Sequence, residues 1–328
     1  MAEPRFQILG VGNAIVDVVA QSEEGFLASH GLTKGAMALV GAEEAERLYA
    51  AMPPGQESSG GSAANTCAVA SGLGARVAYL GKVADDQLGA VFRHDITAAG
   101  VHFPTRPLAG AAPTARCLIV VTPDGQRTMS TFLGASVAFE PDDLDEAVVA
   151  GSAVTYLEGY LFDPPLAQAA FRHAAMAARR AGQQVALSLS DPFCVARHRA
   201  AFLDLLGGVD ILFANEAEVT SLYETADFEA AAARARQDVG LCALTRGPAG
   251  SLVLRGSERE EVVAAPARVV DTTGAGDAFA AGFLAAFTRG EGLAACGWLG
   301  SRAAAAAISQ IGARPLAQLG DLAVPDAD

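Results

Sequence analysis

The sequence predicts an α/β fold in three layers: a mostly parallel central sheet, helices on both of its faces, and a small β-strand lid. Three observations predict it. Apolar, strand-length runs alternate with Ala-rich helical runs through the second half of the chain, as in successive strand–helix units. The chain has 328 residues, 51% of them apolar, with mean hydropathy +0.28. That is enough for one large core and a small appendage. A few strand candidates stand apart from the alternation and supply the lid.

Phe6–Gly12 reads as a first strand running into a turn. Ile15–Ala20 and Ala36–Val40 are short strands, and Ala42–Met52 is the first long helix. Ala63–Leu73 is helical. Arg116–Thr122 and Gln126–Leu133 form a hairpin around Thr122-Pro123-Asp124-Gly125, a strong turn signal. Strands follow at Ala153–Leu157, Gln184–Leu189, Ile211–Ala214, Leu241–Thr245 and Ser251–Leu254, with helices at Pro165–Gly182, Ala196–Leu206 and Phe228–Gly240. Phe279, Phe283 and Phe287 recur at helical spacing and Gly290 closes that run. The Ala303–Ala307 run is a helix packed tightly on the sheet. The expected organisation is a single domain, 1–328, with the lid formed by about 14–40 and 105–135.

Composition removes several function classes. The net charge is −14 and the pI about 4.8. No Lys/Arg cluster exists, which argues against nucleic acid or an anionic membrane as partner. An acidic chain can still bind ATP, because amides and Mg²⁺ handle phosphates. The five cysteines (67, 117, 194, 242 and 296) are scattered, without a CxxC pair, which points to a reducing, cytoplasmic setting and away from structural zinc. No charged, then apolar, N-terminal leader is present, and no apolar run is long enough to span a membrane. A monomer or homodimer is expected. None of the five histidines sits in a catalytic constellation, so Ser/His/Asp hydrolysis has no footing. Gly10-Val11-Gly12 invites a dinucleotide reading, but Ile15 stands where the third glycine belongs. No GxxxxGK[ST] loop occurs.

Chemistry concentrates in Asp271-Thr-Thr-Gly-Ala-Gly-Asp277, directly before an apolar helix. The Gly274-Ala275-Gly276 turn would point backbone N–H groups outward at a helix N-terminus, a ready anion site. Asp277 would stand on its rim, able to take a proton from an alcohol while the amides hold the charge in transfer. An ordinary capping Asp is the plainer alternative.

That stretch resembles the C-terminal signature of the PfkB carbohydrate kinase family, the ribokinase and adenosine kinase superfamily. Gly60-Gly61-Ser62-Ala63-Ala64-Asn65-Thr66, continuing to Gly81-Lys82-Val83-Ala84-Asp85-Asp86, resembles its N-terminal signature. The resemblance implies a ribokinase-like fold with a β lid over the sugar site. It places Asn13, Asp17, Gly60, Gly61, Ser62 and Asn65 on the substrate, with the Asp of the Gly10–Asp17 segment on sugar hydroxyls. The plainer readings are a turn Asn with a lid-surface Asp, and a glycine turn before a helix. Asn215 and Glu218 look like the family's NxxE motif, with Glu218 organising Mg²⁺ through water. Thr245, Gly247 and Gly250 resemble its ATP-binding turn, where a plain hairpin is the alternative. Asp271 and Thr273, with carbonyls around 309–312, resemble its K⁺ site. Arg127 on the lid is a candidate for meeting the transferred phosphoryl group.

These residues imply ATP-dependent phosphorylation of a primary hydroxyl on a nucleoside or ribose-like sugar. ATP and Mg²⁺ are the cofactors, with K⁺ a further one, and Asp277 is the general base. Within the family the chain is most similar to the adenosine kinase branch. There, aromatic residues face the base in the segment matching Glu158-Gly159-Tyr160-Leu161-Phe162; here an acid and a Tyr intrude. Tyr160 or Phe162 would stack on a base, with Met37 and Leu39 lining an apolar pocket. A ribokinase- or fructokinase-like sugar kinase is the alternative. A binding protein that kept the fold but lost the reaction is a further one, which Asp277 argues against.

Overall fold

The computed structural model of the chain describes residues 3–110, 112–315 and 319. Its strands are β1 (Phe6–Val11), β2 (Ile15–Gln21), β3 (Met37–Leu39), β4 (Gln56–Gly60), β5 (Val77–Leu80), β6 (Val101–His102), β7 (Ala115–Val121), β8 (Arg127–Phe132), β9 (Ser152–Glu158), β10 (Gln184–Ser188), β11 (Ile211–Asn215), β12 (Leu241–Thr245), β13 (Ser251–Arg255) and β14 (Glu258–Val262). Its α-helices are α1 (Glu24–Ser29), α2 (Ala42–Ala51), α3 (Ser62–Gly72), α4 (Gln87–Ala98), α5 (Glu146–Ala150), α6 (Pro165–Arg180), α7 (Pro192–Leu206), α8 (Glu216–Leu222), α9 (Phe228–Asp238), α10 (Ala275–Phe287) and α11 (Leu293–Ile308).

Nine strands form one sheet in the order β14-β13-β12-β11-β10-β9-β1-β5-β6. From β12 to β6 every neighbouring pair is parallel; β13 and β14 extend the edge antiparallel. Successive strand residues point to opposite faces, and the cores follow that period. Leu212 and Ala214 of β11 enter one core with α5 to α9, while Ile211 and Phe213 enter the other with α3, α4, α10 and α11. Three layers result, as the alternation predicts.

A second sheet has the order β3-β8-β7-β2-β4. The expected hairpin is its centre, β7 against β8. One member has no signal of its own: β4 (QESSG) lacks apolar alternation, and exists because it pairs antiparallel with β2, Asp17 opposite Ser58. The lid sheet is therefore built from 15–21, 37–39, 56–60, 115–121 and 127–132, and so extends beyond the expected segments. The helix expected from Ala196 starts earlier, at Pro192 behind an Asp191 N-cap, and kinks at His198. Among the described residues, no helix is long and apolar enough to cross a membrane.

Candidate active site

Because β1, β9, β10, β11 and β12 run parallel, their carboxyl ends share one edge of the large sheet, where such sheets bind ligands. Asn13 follows β1, Glu158 ends β9, Asn215 ends β11 and Thr245 ends β12. The starts of α3 and α10 meet at the same edge.

α10 begins behind Gly274, whose φ of +75° lies in the left-handed region. A Cβ there would sit 2.5 Å from the Ala313 carbonyl oxygen, so backbone and space both demand glycine. No side chain caps this end. Asp277 is thus not a capping Asp. Its Oδ1 accepts from Ser62 Oγ at 2.5 Å, and Asn65 Nδ2 lies 3.5 Å from its Oδ2. Burial pushes its carboxyl up to about 6, against the Ser62 and Asn65 hydrogen bonds and the charge of Arg314. Asn65 is itself buried, on the first turn of α3.

Asp17 arrives from the second sheet. Burial pushes it up to about 6, opposed by the charges of Arg314 and Arg127, with Asp277 adding a like charge. Gly60 makes room for it: a Cβ there would lie 2.5 Å from the Asp17 carboxyl. The structure thus gathers Asn65, Ser62, Asp17, Gly60 and Asp277 from segments far apart in sequence.

Glu158, read from sequence as an intruding acid, proves central. Its Oε1 accepts from Asn13 N at 3.2 Å and Asn13 Nδ2 at 2.9 Å, and its Oε2 from Ala63 N at 2.6 Å. It ties the turn after β1 to the start of α3. Burial pushes it up to about 7, against those three hydrogen bonds. Gly61, the N-cap of α3, has φ +95°, and a Cβ there would strike the Asn13 carbonyl.

Other expectations land differently. Phe162 is fully buried, stacked on Phe202 of α7 and packed against Phe171 of α6, so it cannot meet a base. Tyr160 is 43% exposed at the site's edge. Met37 and Leu39 are exposed on β3, an edge strand whose three residues are all exposed. Asn215 caps α8: its side chain accepts from Glu218 N, and Glu218 accepts in return from Asn215 N at 2.9 Å and Nδ2 at 2.6 Å. Burial pushes Glu218 up to about 7. Thr245, Gly247 and Gly250 do lie in a hairpin, between antiparallel β12 and β13. Arg127 pairs with Asp271. Asp271 also accepts from Thr273 N at 3.0 Å, Thr273 Oγ1 at 2.6 Å and Gly312 N at 2.9 Å. Burial would raise its pKa, but those donors and Arg127 hold it low.

Two residues of the site carried little sequence signal. Glu158 is flagged as an intruding acid at a strand's carboxyl end, but nothing local names Asn13 and Ala63 as its partners. Arg314 gives no signal; it reaches Asn65 from 249 positions away.

The family model for the pfkB family carbohydrate kinases matches residues 26–318. The crystal structure of adenosine kinase from Sinorhizobium meliloti is 52% identical, with TM-score 0.88, covering 97% of this chain and 98% of that one. The adenosine kinase of Saccharomyces cerevisiae is 28% identical over 92% of this chain and 94% of its own length. The ATP-dependent ribose-1-phosphate kinase of Halopiger xanaduensis is 31% identical over 70% of this chain and 73% of its own length. The chain belongs to the pfkB family of carbohydrate kinases, phosphotransferases that take a hydroxyl group as acceptor.

Proposed function

We propose that this kinase transfers the γ-phosphoryl group of ATP to the primary hydroxyl of a nucleoside, with adenosine as acceptor. The observation that carries the reading is Asp277: an uncapped helix start behind Gly274, with a carboxylate on its rim held by Ser62 and Asn65 and facing Asp17. Asp17, Asn13 and Asn65 bind the sugar hydroxyls. Asp277 takes the proton of the attacking hydroxyl as its oxygen bonds to the γ-phosphorus. The bond to the β–γ bridging oxygen breaks and ADP leaves. The Gly274, Ala275 and Gly276 amides stabilise the charge on the moving group. Such transfers depend on positioning and electrostatics rather than covalent chemistry. Closure of the second sheet excludes water.

The ATP side is the edge formed by Asn215, Thr245, Gly247 and Gly250. Mg²⁺ neutralises phosphate charge when bound, and it usually keeps several waters. Glu218 fits that role. Each of its oxygens accepts one internal hydrogen bond, which leaves lone pairs for metal-bound water. A K⁺ ion on Asp271 fits less well, because Arg127 already neutralises that carboxylate. Comparing rates in K⁺ and in a bulky organic cation tests this: equal rates keep K⁺ out of the site.

The acceptor is favoured as a nucleoside by two supports. The Sinorhizobium relative covers nearly the whole chain, and Glu158 turns its carboxylate to Asn13 and Ala63. That leaves Tyr160, part-exposed with its phenol buried near Asp277, Glu218 and Glu158, as the ring for stacking. A screen of ADP release across nucleosides, ribose, fructose and ribose phosphates decides the acceptor. Adenosine should give the highest kcat/KM. Turnover of free or phosphorylated ribose without turnover of adenosine would overturn the nucleoside reading.

A further inference from the structure

The segment after α11 touches both halves of the site. Gly312 donates to Asp271, and Ala313 lies against Gly274. The next residue, Arg314, reaches the acceptor side. Its Nε donates to Asn65 Oδ1 at 2.9 Å and its Nη1 to Ser59 Oγ at 2.9 Å, with Asp95 Oδ2 at 3.3 Å from Nη1. Asp95, on α4, also accepts from the Ser59 amide at 2.8 Å and from its hydroxyl. The guanidinium is therefore fixed from β4 and α4 and aimed at one amide on α3.

A primary amide has an accepting end and a donating end, and arginine offers donors only. Facing Arg314, Asn65 must present Oδ1, which leaves Nδ2 toward Asp277 Oδ2. The reversed amide would set an oxygen against a carboxylate and an NH₂ against a cation. Arginine serves these two acceptors, Asn65 and Ser59, from two separate nitrogens of a rigid plane, whereas lysine has a single nitrogen. The titratable groups facing this guanidinium are Asp17 from β2, Asp95 from α4, Asp277 from α10, and the neutral Cys67 thiol from α3 and Tyr79 phenol from β5.

We propose that Arg314 is a positioning residue for phosphoryl transfer: it fixes the Asn65 amide with its NH₂ end toward Asp277 and the acceptor. Its own loop links that orientation to the Gly274 turn. This rests on reading Asn65 and Asp277 as acceptor-side groups.

Arg314→Lys keeps the charge and removes the fork; Arg314→Met removes both. Each is assayed with the best acceptor from the screen and with ATP, from pH 5 to 9, alongside Asn65→Ala and the Asn65→Ala/Arg314→Lys double variant. Arg314→Lys should raise the acceptor KM roughly tenfold and leave the ATP KM within about twofold. In the Asn65→Ala background the same change should add less than about twofold, because the two residues act as one unit. Arg314→Met should also move the acid limb of kcat/KM to higher pH, since losing a cation raises nearby carboxyl pKa values. An unchanged acceptor KM in Arg314→Lys, equal rises in both KM values, or full additivity with Asn65→Ala would overturn the proposal. If Arg314→Met does not fold, the lysine variant and the double variant decide between these outcomes. Asp277→Asn separates the two levels. If it retains turnover, the site reading fails. If it is inactive while Arg314→Lys matches wild type, only the role of Arg314 fails.

Discussion

α3 and α10 both begin behind a glycine of positive φ, Gly61 at +95° and Gly274 at +75°, and neither has a side-chain cap. Their first turns are nevertheless used differently. At α3 the protein supplies its own anion: Glu158 accepts from the Ala63 amide and holds Asn13 as well. At α10 no carboxylate among the described residues takes the amides: Ala275 N donates only to the Thr272 carbonyl, at 3.3 Å, and a Cβ at Gly276 would meet nothing within 4 Å. A helix N-terminus favours negative charge in either case. An end filled by the protein is structural. An end left open, with an acid on its rim, suits an anion that comes and goes.

The largest break in that comparison is Asp277→Asn. It should lower kcat about 10³-fold, within the range of general-base catalysis, and leave the acceptor KM nearly unchanged. A kcat within about tenfold of wild type would return Asp277 to a structural role. Gly274→Ala should follow, with kcat down about 10²-fold. It forces a strained φ and a clash with Ala313, misplacing amides worth roughly that factor in other transition-state cradles. The matching change on the filled side, Glu158→Ala, should register first in stability. Three donors lose their acceptor, at a cost of about 3 kcal/mol, read as a lower urea midpoint at constant slope. Glu158→Gln should cost less, because its single carbonyl oxygen can serve Asn13 or Ala63 but not both. If Glu158→Ala unfolds at the wild-type midpoint, the two helix ends are not distinguished by a resident anion.

Much of this was legible in the sequence, and the reason is periodicity. The Phe279, Phe283 and Phe287 stripe dictated α10, and the glycines before it dictated its start. The strand–helix alternation dictated the layers. What stayed hidden depends on pairing between distant segments. β4 and β14 are polar and charged runs that become strands only through their partners, β2 and β13. Phe162 looked available to a base because its burial against Phe202 is tertiary. Arg314 gave no signal at all, since nothing local says that Asn65 waits across the fold.

The smallest effect concerns pH, and it tests whether the acid beside the open helix end is poised as a base. Burial pushes Asp277 and Asp17 both up to about 6; the Asp277 charge raises Asp17 further, and both feel the cation Arg314. A base works only when deprotonated, so kcat/KM for the acceptor should fall below about pH 6, and level off only above about 8 because Glu218 is also pushed up to about 7. Two coupled carboxyls titrate as a pair, so the limiting slope should approach about 2 if both must be ionised. Replacing Asp17 with Asn removes one titration and one like charge. The slope should then drop toward about 1, and the midpoint should move to lower pH, because Asp277 no longer ionises beside an anion. A profile flat from about pH 5 to 8 in the wild type would mean that no carboxylate in this cleft titrates on the way to reaction. The contrast between the two helix ends would then rest on the amides of α10 alone.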